Sequence, residues 1–331
     1  MVELLIIKPS SLGDIVHGLQ VAASIKAQRP DVRISWIVRD IFAALVKQCE
    51  AVDRVYVFKR SGGVLGFVKL MREVRETKFD FVFDMQGLLR TGLMTMRSIG
   101  AKKVGRRDSR EGAGIFYKDV VDLPAAGRSS HALEILLQFL PVLGLKPELV
   151  GTVKFREVDG LNLSHLEGRG GAQPVIMFPD SRRAEKRWHG FKELTEFIAR
   201  DGSGRKVVWA GNNYIDYKDA LTETQFLNLT GNTSLMALPS FIKKAGWVIS
   251  NDSGPLHLAA AMGVPVLGIF GPTDPRLFGP FPLTAPTNHV VQAPIGNLKL
   301  LSAREVYARF KRLDGTRVRT AHPFPFTQRG F

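Results

Sequence analysis

Short apolar runs alternate with amphipathic segments, and this alternation occurs twice along the chain. In the first half, strand-like runs at residues 4–7, 34–38, 54–58, 81–84 and 103–105 are separated by helix-like stretches at 15–28, 42–48, 64–76 and 88–99. A further helix is predicted at 130–143, capped by Ser129 or Ser130. Apolar runs of this kind suit strands buried on both faces, so the rhythm predicts a parallel sheet with helices on either side. Residues 159–173 break the pattern: they are polar and rich in glycine (Glu167-Gly-Arg-Gly-Gly171), as expected of a domain joint. The rhythm then restarts, with strands at 175–178, 206–210, 247–250 and 266–270. Its helices are expected at 191–199, from Thr233 to Lys244, at 255–262 and at 303–312. Pro239 is a misfit inside the second of these and is expected to kink it. The fold class is therefore α/β, with two parallel-sheet domains at 1–160 and 171–312 and a tail at 313–331. The last helix is free to pack back on the first domain. At 331 residues the chain is long enough for two cores of ordinary size.

Charge narrows the partners. A formal net charge of +15 calls for an anionic one, such as nucleic acid, an anionic membrane surface, or phosphorylated and carboxylated substrates. No helix-turn-helix, zinc-finger or aromatic RNA-binding pattern is present, so nucleic acid is not expected. Cys49 is the one cysteine, which excludes an internal disulfide and cysteine-rich metal sites. No signal segment and no apolar run of about 20 residues is found, and the expected location is cytoplasmic.

Three stretches carry candidate chemistry. Lys8-Pro-Ser-Ser-Leu-Gly-Asp14-Ile-Val-His17 follows the first strand and forms a tight turn into a helix, with Asp14 at the helix start. Ligands gather at the carboxyl ends of strands in open α/β sheets, although Asp14 also suits a plain helix cap. Asn251-Asp-Ser-Gly-Pro-Leu-His257 runs from a strand into a helix near Pro255. The open amides of its first turn and the helix dipole suit a phosphate or diphosphate; a simple cap, and a core role for His257, remain open. Phe178-Pro-Asp-Ser-Arg-Arg-Ala-Glu-Lys186-Arg-Trp188 sets several cations at a strand end, either to neutralise a leaving diphosphate or as a solvated loop. Neither Gly-x-Gly-x-x-Gly after the first strand nor a P-loop is present, which disfavours nicotinamide enzymes and P-loop NTPases.

Together these stretches resemble glycosyltransferase family 9, the bacterial lipopolysaccharide heptosyltransferases, and most of all the members that add the first heptose. Ser10-Ser-Leu-Gly-Asp14-Ile-Val-His17 is similar to the family's N-terminal signature, and Asp84-Met-Gln-Gly-Leu88 to its Asp-x-Gln-Gly turn. Ser109-Arg-Glu111, His131-Ala-x-Glu134, Lys186-Arg-Trp188, Asp252-Ser-Gly-x-x-His257 and Gly271-Pro-Thr-Asp-Pro275 follow in the family's order. The resemblance implies a GT-B architecture of two Rossmann-like domains, with the acceptor in the first, the nucleotide sugar in the second and a cleft between them. It implies inverting transfer of heptose from ADP-heptose to Kdo-lipid A, with Asp14 as base, Lys186 on the diphosphate, and no metal or other cofactor. Donor contacts are then expected at Gly13, Ser181, Arg182, Gly211, Asp216, Thr233, Asp252, Ser253, Gly254 and His257. Acceptor contacts are expected at Lys8, Ser10, Ser11, Lys59, Arg60, Gln86, Gly87 and Arg110. Arg97, Lys102, Lys103, Arg106 and Arg107 are expected to face an anionic inner leaflet. The alternatives are a family 9 enzyme with another donor or acceptor, or a non-catalytic binder of anionic glycolipid or nucleic acid.

Overall fold

A computed structural model of the chain describes residues 1–158, 160–217 and 220–320. The first sheet comprises β1 (Val2–Ile7), β2 (Val32–Arg39), β3 (Arg54–Phe58), β4 (Phe79–Asp84), β5 (Gly100–Arg106) and β6 (Asp119–Val121). Its helices are α1 (Leu12–Gln28), α2 (Ala43–Gln48), α3 (Gly63–Val74), α4 (Leu89–Arg97) and α5 (Ala132–Leu137). The second sheet comprises β7 (Val175–Phe178), β8 (Val207–Gly211), β9 (Phe226–Thr230), β10 (Trp247–Asn251), β11 (Val266–Phe270) and β12 (Asn288–Gln292). With it run α6 (Phe191–Ala199), α7 (Leu238–Lys244), α8 (Gly254–Ala261), α9 (Pro275–Phe278) and α10 (Ala303–Thr320).

Every strand pair is parallel, and the orders are β3-β2-β1-β4-β5-β6 and β12-β11-β10-β7-β8-β9. Counted within its own sheet, each is the doubly wound order 3-2-1-4-5-6. The order reverses between β1 and β4 in the first sheet and between β7 and β10 in the second. A crevice opens at the carboxyl ends of those strands, which is where the signature loops lie. Both faces of each sheet are buried: Leu4 and Ile6 enter one core while Leu5 and Ile7 enter another. The larger core runs on through Phe178, Ala210 and Leu256, so the inner layers of the two domains share one apolar interior.

Several boundaries differ from the sequence reading. β6, β9 and β12 were not anticipated; all are outer strands, half-exposed and interrupted by polar residues, so they lack a continuous apolar run. α5 begins two residues later than expected and ends at Leu137, short of residue 143; it is capped by His131, whose Nδ1 accepts the Leu133 amide while Glu134 accepts the His131 amide. Pro239 causes no kink, because α7 starts at Leu238 and its first turn needs no proline N–H. Thr233 is not its cap: the Thr233 hydroxyl donates to the Leu229 carbonyl and accepts the Gly211 amide. The last helix passes the predicted end at Arg312, because Asp314 accepts the Trp247 indole N–H and pairs with Arg205. Its side chains Ala303, Val306 and Phe310 join the core of the second domain, and none of those three turns back to the first. Asp159, in the predicted joint, and residues 321–331 of the tail lie outside the described residues.

The domains meet where α1 crosses α8. A Cβ at Gly254 would come within 2.5 Å of Leu12, and one at Gly13 within 3.2 Å of the His257 ring. Glycine at both positions lets the two helix starts approach closely. Behind them the buried His17 ring lies 4.9 Å from His257 and 5.6 Å from His131. His131 Nε2 bonds the Gly279 carbonyl across the junction while its Nδ1 accepts, which defines a neutral ring. Burial first, and then neighbouring His257, hold His131 down at about 4; burial, His257 and His131 depress His17 as well. A group whose pKa falls on folding stabilises the fold above its unfolded value and loses that contribution as pH drops to the folded one. The melting temperature is therefore expected to fall as pH is lowered from about 6.5 to about 4, followed by circular dichroism. A flat profile across that window would contradict the depressed values of His17 and His131.

Candidate active site

The turn after β1 places Asp14 in the first turn of α1, its side chain 44% exposed and in the wall of neither cavity described below. Ser11 is the N-cap of α1 and Asp14 its third helical residue, so Asp14 Oδ2 accepts both the Ser11 amide (3.0 Å) and the Ser11 hydroxyl (2.7 Å). Oδ1 faces the Lys8 ammonium at 3.7 Å. Burial pushes the Asp14 carboxyl up, but Lys8 and the two Ser11 hydrogen bonds outweigh it and hold it at about 2. Asp14 thus combines the cap geometry with an ionised carboxylate whose Oδ1 makes no hydrogen bond at the cap.

Lys8 differs from the expectation. Only 1% of its surface is exposed; its ammonium donates to the Met85 carbonyl, and a Cβ at Gly18 would touch its stem. The segment after β1 runs under Trp36, whose indole donates to the Lys8 carbonyl, and this buries the side chain beneath the site. Burial pulls Lys8 below its ordinary value and Asp14 counteracts it. Lys8 is therefore Asp14's counterion, out of reach of an acceptor.

At the end of β4, Asp84 accepts the Gln86 and Gly87 amides at 2.9 Å each and the Tyr117 hydroxyl at 2.7 Å. Gly87 has φ +71°, and a Cβ there would press on Ser109, so this glycine forms the turn and is itself buried. A cavity of about 680 Å³ lies beside this turn, lined by Pro9, Ser10, Arg39, Phe58, Arg60, Gln86, Arg90 and Glu111 among others. Buried Arg39 Nε and Gln86 Oε1 find no hydrogen-bond partner among the described residues. Arg39 and Arg90 were not anticipated, since isolated arginines in a chain of net charge +15 carry no motif. Lys59 and Arg110 are exposed and do not line this cavity. Of the cations expected to face a membrane, Arg106 pairs with Asp108 at 2.7 Å, Arg107 with Asp122, and Lys103 donates to the Met96 carbonyl.

On the other side a cavity of about 640 Å³ is lined from both domains, by Ser11–Gly13 and by Ser181, Arg182, Lys186, Gly211, Thr233 and Asp252–Gly254. Lys186 Nζ lies 2.5 Å from Asp252 Oδ2, which also accepts the Thr273 hydroxyl at 2.7 Å. Asp252 Oδ1 faces His257 Nε2 at 3.8 Å. Burial raises the Asp252 carboxyl, yet His257, Lys186 and Thr273 bring it to about 2. The loop bearing Lys186 is pinned by Asn251, which accepts the Trp188 amide and donates to the Pro179 carbonyl, while the Trp188 indole bonds the Leu301 carbonyl. Trp188 is thus the anchor that sets where Lys186 stands. α8 starts at Gly254 with Pro255 in its first turn and no side-chain cap, leaving an anion-binding helix start in the cavity wall.

Asp216 is exposed and does not line this cavity, while His257 packs behind the site rather than in the wall. Asp180 and Asn213, joined by a 2.6 Å hydrogen bond, do line it and were missed. The tandem Asn212-Asn213 after the β8 glycine was the available signal. Among the described residues no group of three His, Cys, Asp or Glu side chains is placed to hold a metal ion.

Two carboxylate–ammonium pairs thus stand at the cleft, and one is directly testable. Methionine fills the Lys8 volume without its charge, so Lys8→Met is expected to raise the Asp14 carboxyl well above about 2 in a carbon-13 titration. An unmoved titration would remove Lys8 as the counterion.

A sequence profile described as glycosyltransferase family 9 (heptosyltransferase) matches residues 67–307. Lipopolysaccharide heptosyltransferase 1 of Escherichia coli strain K12 is 27% identical over 328 residues, spanning 94% of this chain and 100% of that protein. The solved E. coli heptosyltransferase WaaC with ADP has a TM-score of 0.78 at 22% identity, covering 94% of this chain and 99% of that one. The same enzyme with ADP-2-deoxy-2-fluoro heptose has a TM-score of 0.74 at 22% identity, with the same coverage. The fold is that of these two-domain transferases, and because the profile spans well over half of the chain, the protein belongs to glycosyltransferase family 9 and is a glycosyltransferase.

Proposed function

We propose that this protein transfers L-glycero-D-manno-heptose, with inversion, from ADP-heptose to a Kdo hydroxyl of Kdo-lipid A in the lipopolysaccharide inner core. The observation that carries the reading is the shared wall between the cavities: Pro9 and Ser10 line one, Ser11 to Gly13 the other, and Asp14 follows directly. A base at that position is next to both an acceptor and a donor. The first cavity offers Arg39, Arg60 and Arg90 to a carboxylated or phosphorylated acceptor. The second offers Lys186 and an uncapped helix start to a diphosphate.

In this reaction the acceptor oxygen bonds the anomeric carbon as that carbon's bond to the β-phosphate oxygen breaks. The hydroxyl proton goes to Asp14, and the bonding pair leaves with ADP. A carboxyl held at about 2 is a weak base in the resting site. It takes the proton once bond formation has made the hydroxyl acidic, late in the transition state. Lys186 meets the charge gathering on the diphosphate. For it to do so the Lys186–Asp252 contact has to loosen, which frees Asp252 to accept hydrogen bonds from donor sugar hydroxyls. The reaction would run at the cytoplasmic face of the inner membrane, where lipid-linked acceptor is accessible.

ADP release from ADP-heptose, with and without Kdo-lipid A, tests the reaction. Acceptor-dependent release is expected in the native protein and about 10²- to 10⁴-fold less in Asp14→Asn, with donor binding retained. Release that is indifferent to acceptor, or an Asp14→Asn protein of native rate, would overturn the assignment. Lys186→Ala is expected to lower kcat about 10²- to 10³-fold, comparable to the loss of one charge-stabilising donor. A rise in KM alone would make Lys186 a ground-state contact.

A further inference from the structure

The solvent face of α3 is unusual for a surface helix. Its inner arc, Leu70, Met71 and Val74, is buried in the first domain with Phe67 packed against it. At 100° per residue, Val64, Val68, Arg72, Leu65 and Lys69 fall on one continuous outer arc. There Val64 is 78% exposed, Leu65 83% and Val68 40%. α3 and the turn before it carry four cations (Lys59, Arg60, Lys69, Arg72) against one carboxylate, Glu73, at the edge of this arc. Val64 and the exposed Leu89 also form part of the wall of the acceptor-side cavity, so this apolar edge continues into the mouth of that cavity.

We infer that α3 docks the protein on an anionic lipid bilayer, with Leu65 and Val68 in the acyl boundary and the surrounding cations on the headgroups. Aliphatic and cationic side chains interleaved on one convex arc suit an interface that is apolar below and anionic above. Neither signal suffices alone, since a few aliphatic side chains give weak partition and the basic residues add attraction to anionic headgroups. Among the described residues no helix is long and apolar enough to cross a membrane, so the contact is one of lying on the surface. The cations of β5 first expected to serve this purpose are partly engaged within the protein, whereas those around α3 are exposed. The inference bears on the proposed acceptor, because a bilayer at this edge brings a lipid-linked sugar to the cavity; binding itself can be measured without donor or acceptor.

The test uses the full chain with an environment-sensitive dye on Leu65→Cys. The native Cys49 is buried and its thiol is pushed up to about 12, so labelling is confined to the new site. Met236→Cys, at an exposed position in the second domain, is the control. Vesicles of phosphatidylcholine with phosphatidylglycerol are expected to blue-shift the dye at 65 and leave that at 236 unchanged. Phosphatidylcholine alone, or high salt, is expected to abolish the shift. Leu65→Asp combined with Val68→Asp should reduce co-sedimentation about tenfold or more, with unchanged turnover of a deacylated, water-soluble acceptor. Co-sedimentation without a shift at 65, an equal shift at 236, or no vesicle binding would each overturn the inference. A shift that grows with protein concentration in the absence of vesicles would assign the face to a second copy of the chain instead. Loss of turnover on the water-soluble acceptor in the native protein would count against the transferase assignment and leave the membrane result standing.

Discussion

The close crossing of α1 and α8 is the contact on which the site depends. Each helix begins at the carboxyl end of a strand beside its sheet's switch point, and each presents its first turn to the cleft. Leu12 lies against Gly254, and His257 against Gly13, with no room for a Cβ at either glycine without displacement. That approach brings two positive helix ends to one crevice, a field that favours anionic groups. His17 and His131, both held below the ordinary imidazole value chiefly by burial, pack behind this contact.

Electrostatics on the two sides of the crevice follow one pattern. A carboxylate is held ionised by neighbouring cations and donors: Asp14 by Lys8 and Ser11, Asp252 by His257, Lys186 and Thr273. The pairs differ in access. Lys8 is sealed under Trp36 and can only set the charge of Asp14. Lys186 sits on a loop in the cavity wall, anchored two residues on by Trp188, and can exchange its partner for a ligand. The same residue types therefore serve different ends according to what covers them.

Legibility in the sequence tracked burial. Inner strands were read closely because burial on both faces demands an uninterrupted apolar run, as in Val175–Phe178 and Val266–Phe270. Of the outer strands, β3 keeps an apolar run and was read, whereas β6, β9 and β12 passed as loop. Asp14, Lys186 and Asp252 were singled out because their stretches stand at strand ends and the family resemblance links them; the residues alone left a plain cap or solvated loop open. Asp180 and Thr273 were not, since each is placed by a partner distant in sequence, and Arg39 lines its cavity with no motif around it.

What the sequence alone determined was the α/β class, the parallel sheets and the three loops at strand ends that stand beside the cleft. These rest on local physics: periodicity, strand burial and the amides left open at helix starts. Only the tertiary structure decided which of the candidate residues reach a cavity. It turned Lys8 inward, left Asp216, Lys59 and Arg110 outside the cavity walls, and extended the last helix past Arg312 through Asp314. The reason is that a side chain's direction and cover depend on contacts between segments far apart in the chain, which no local pattern encodes.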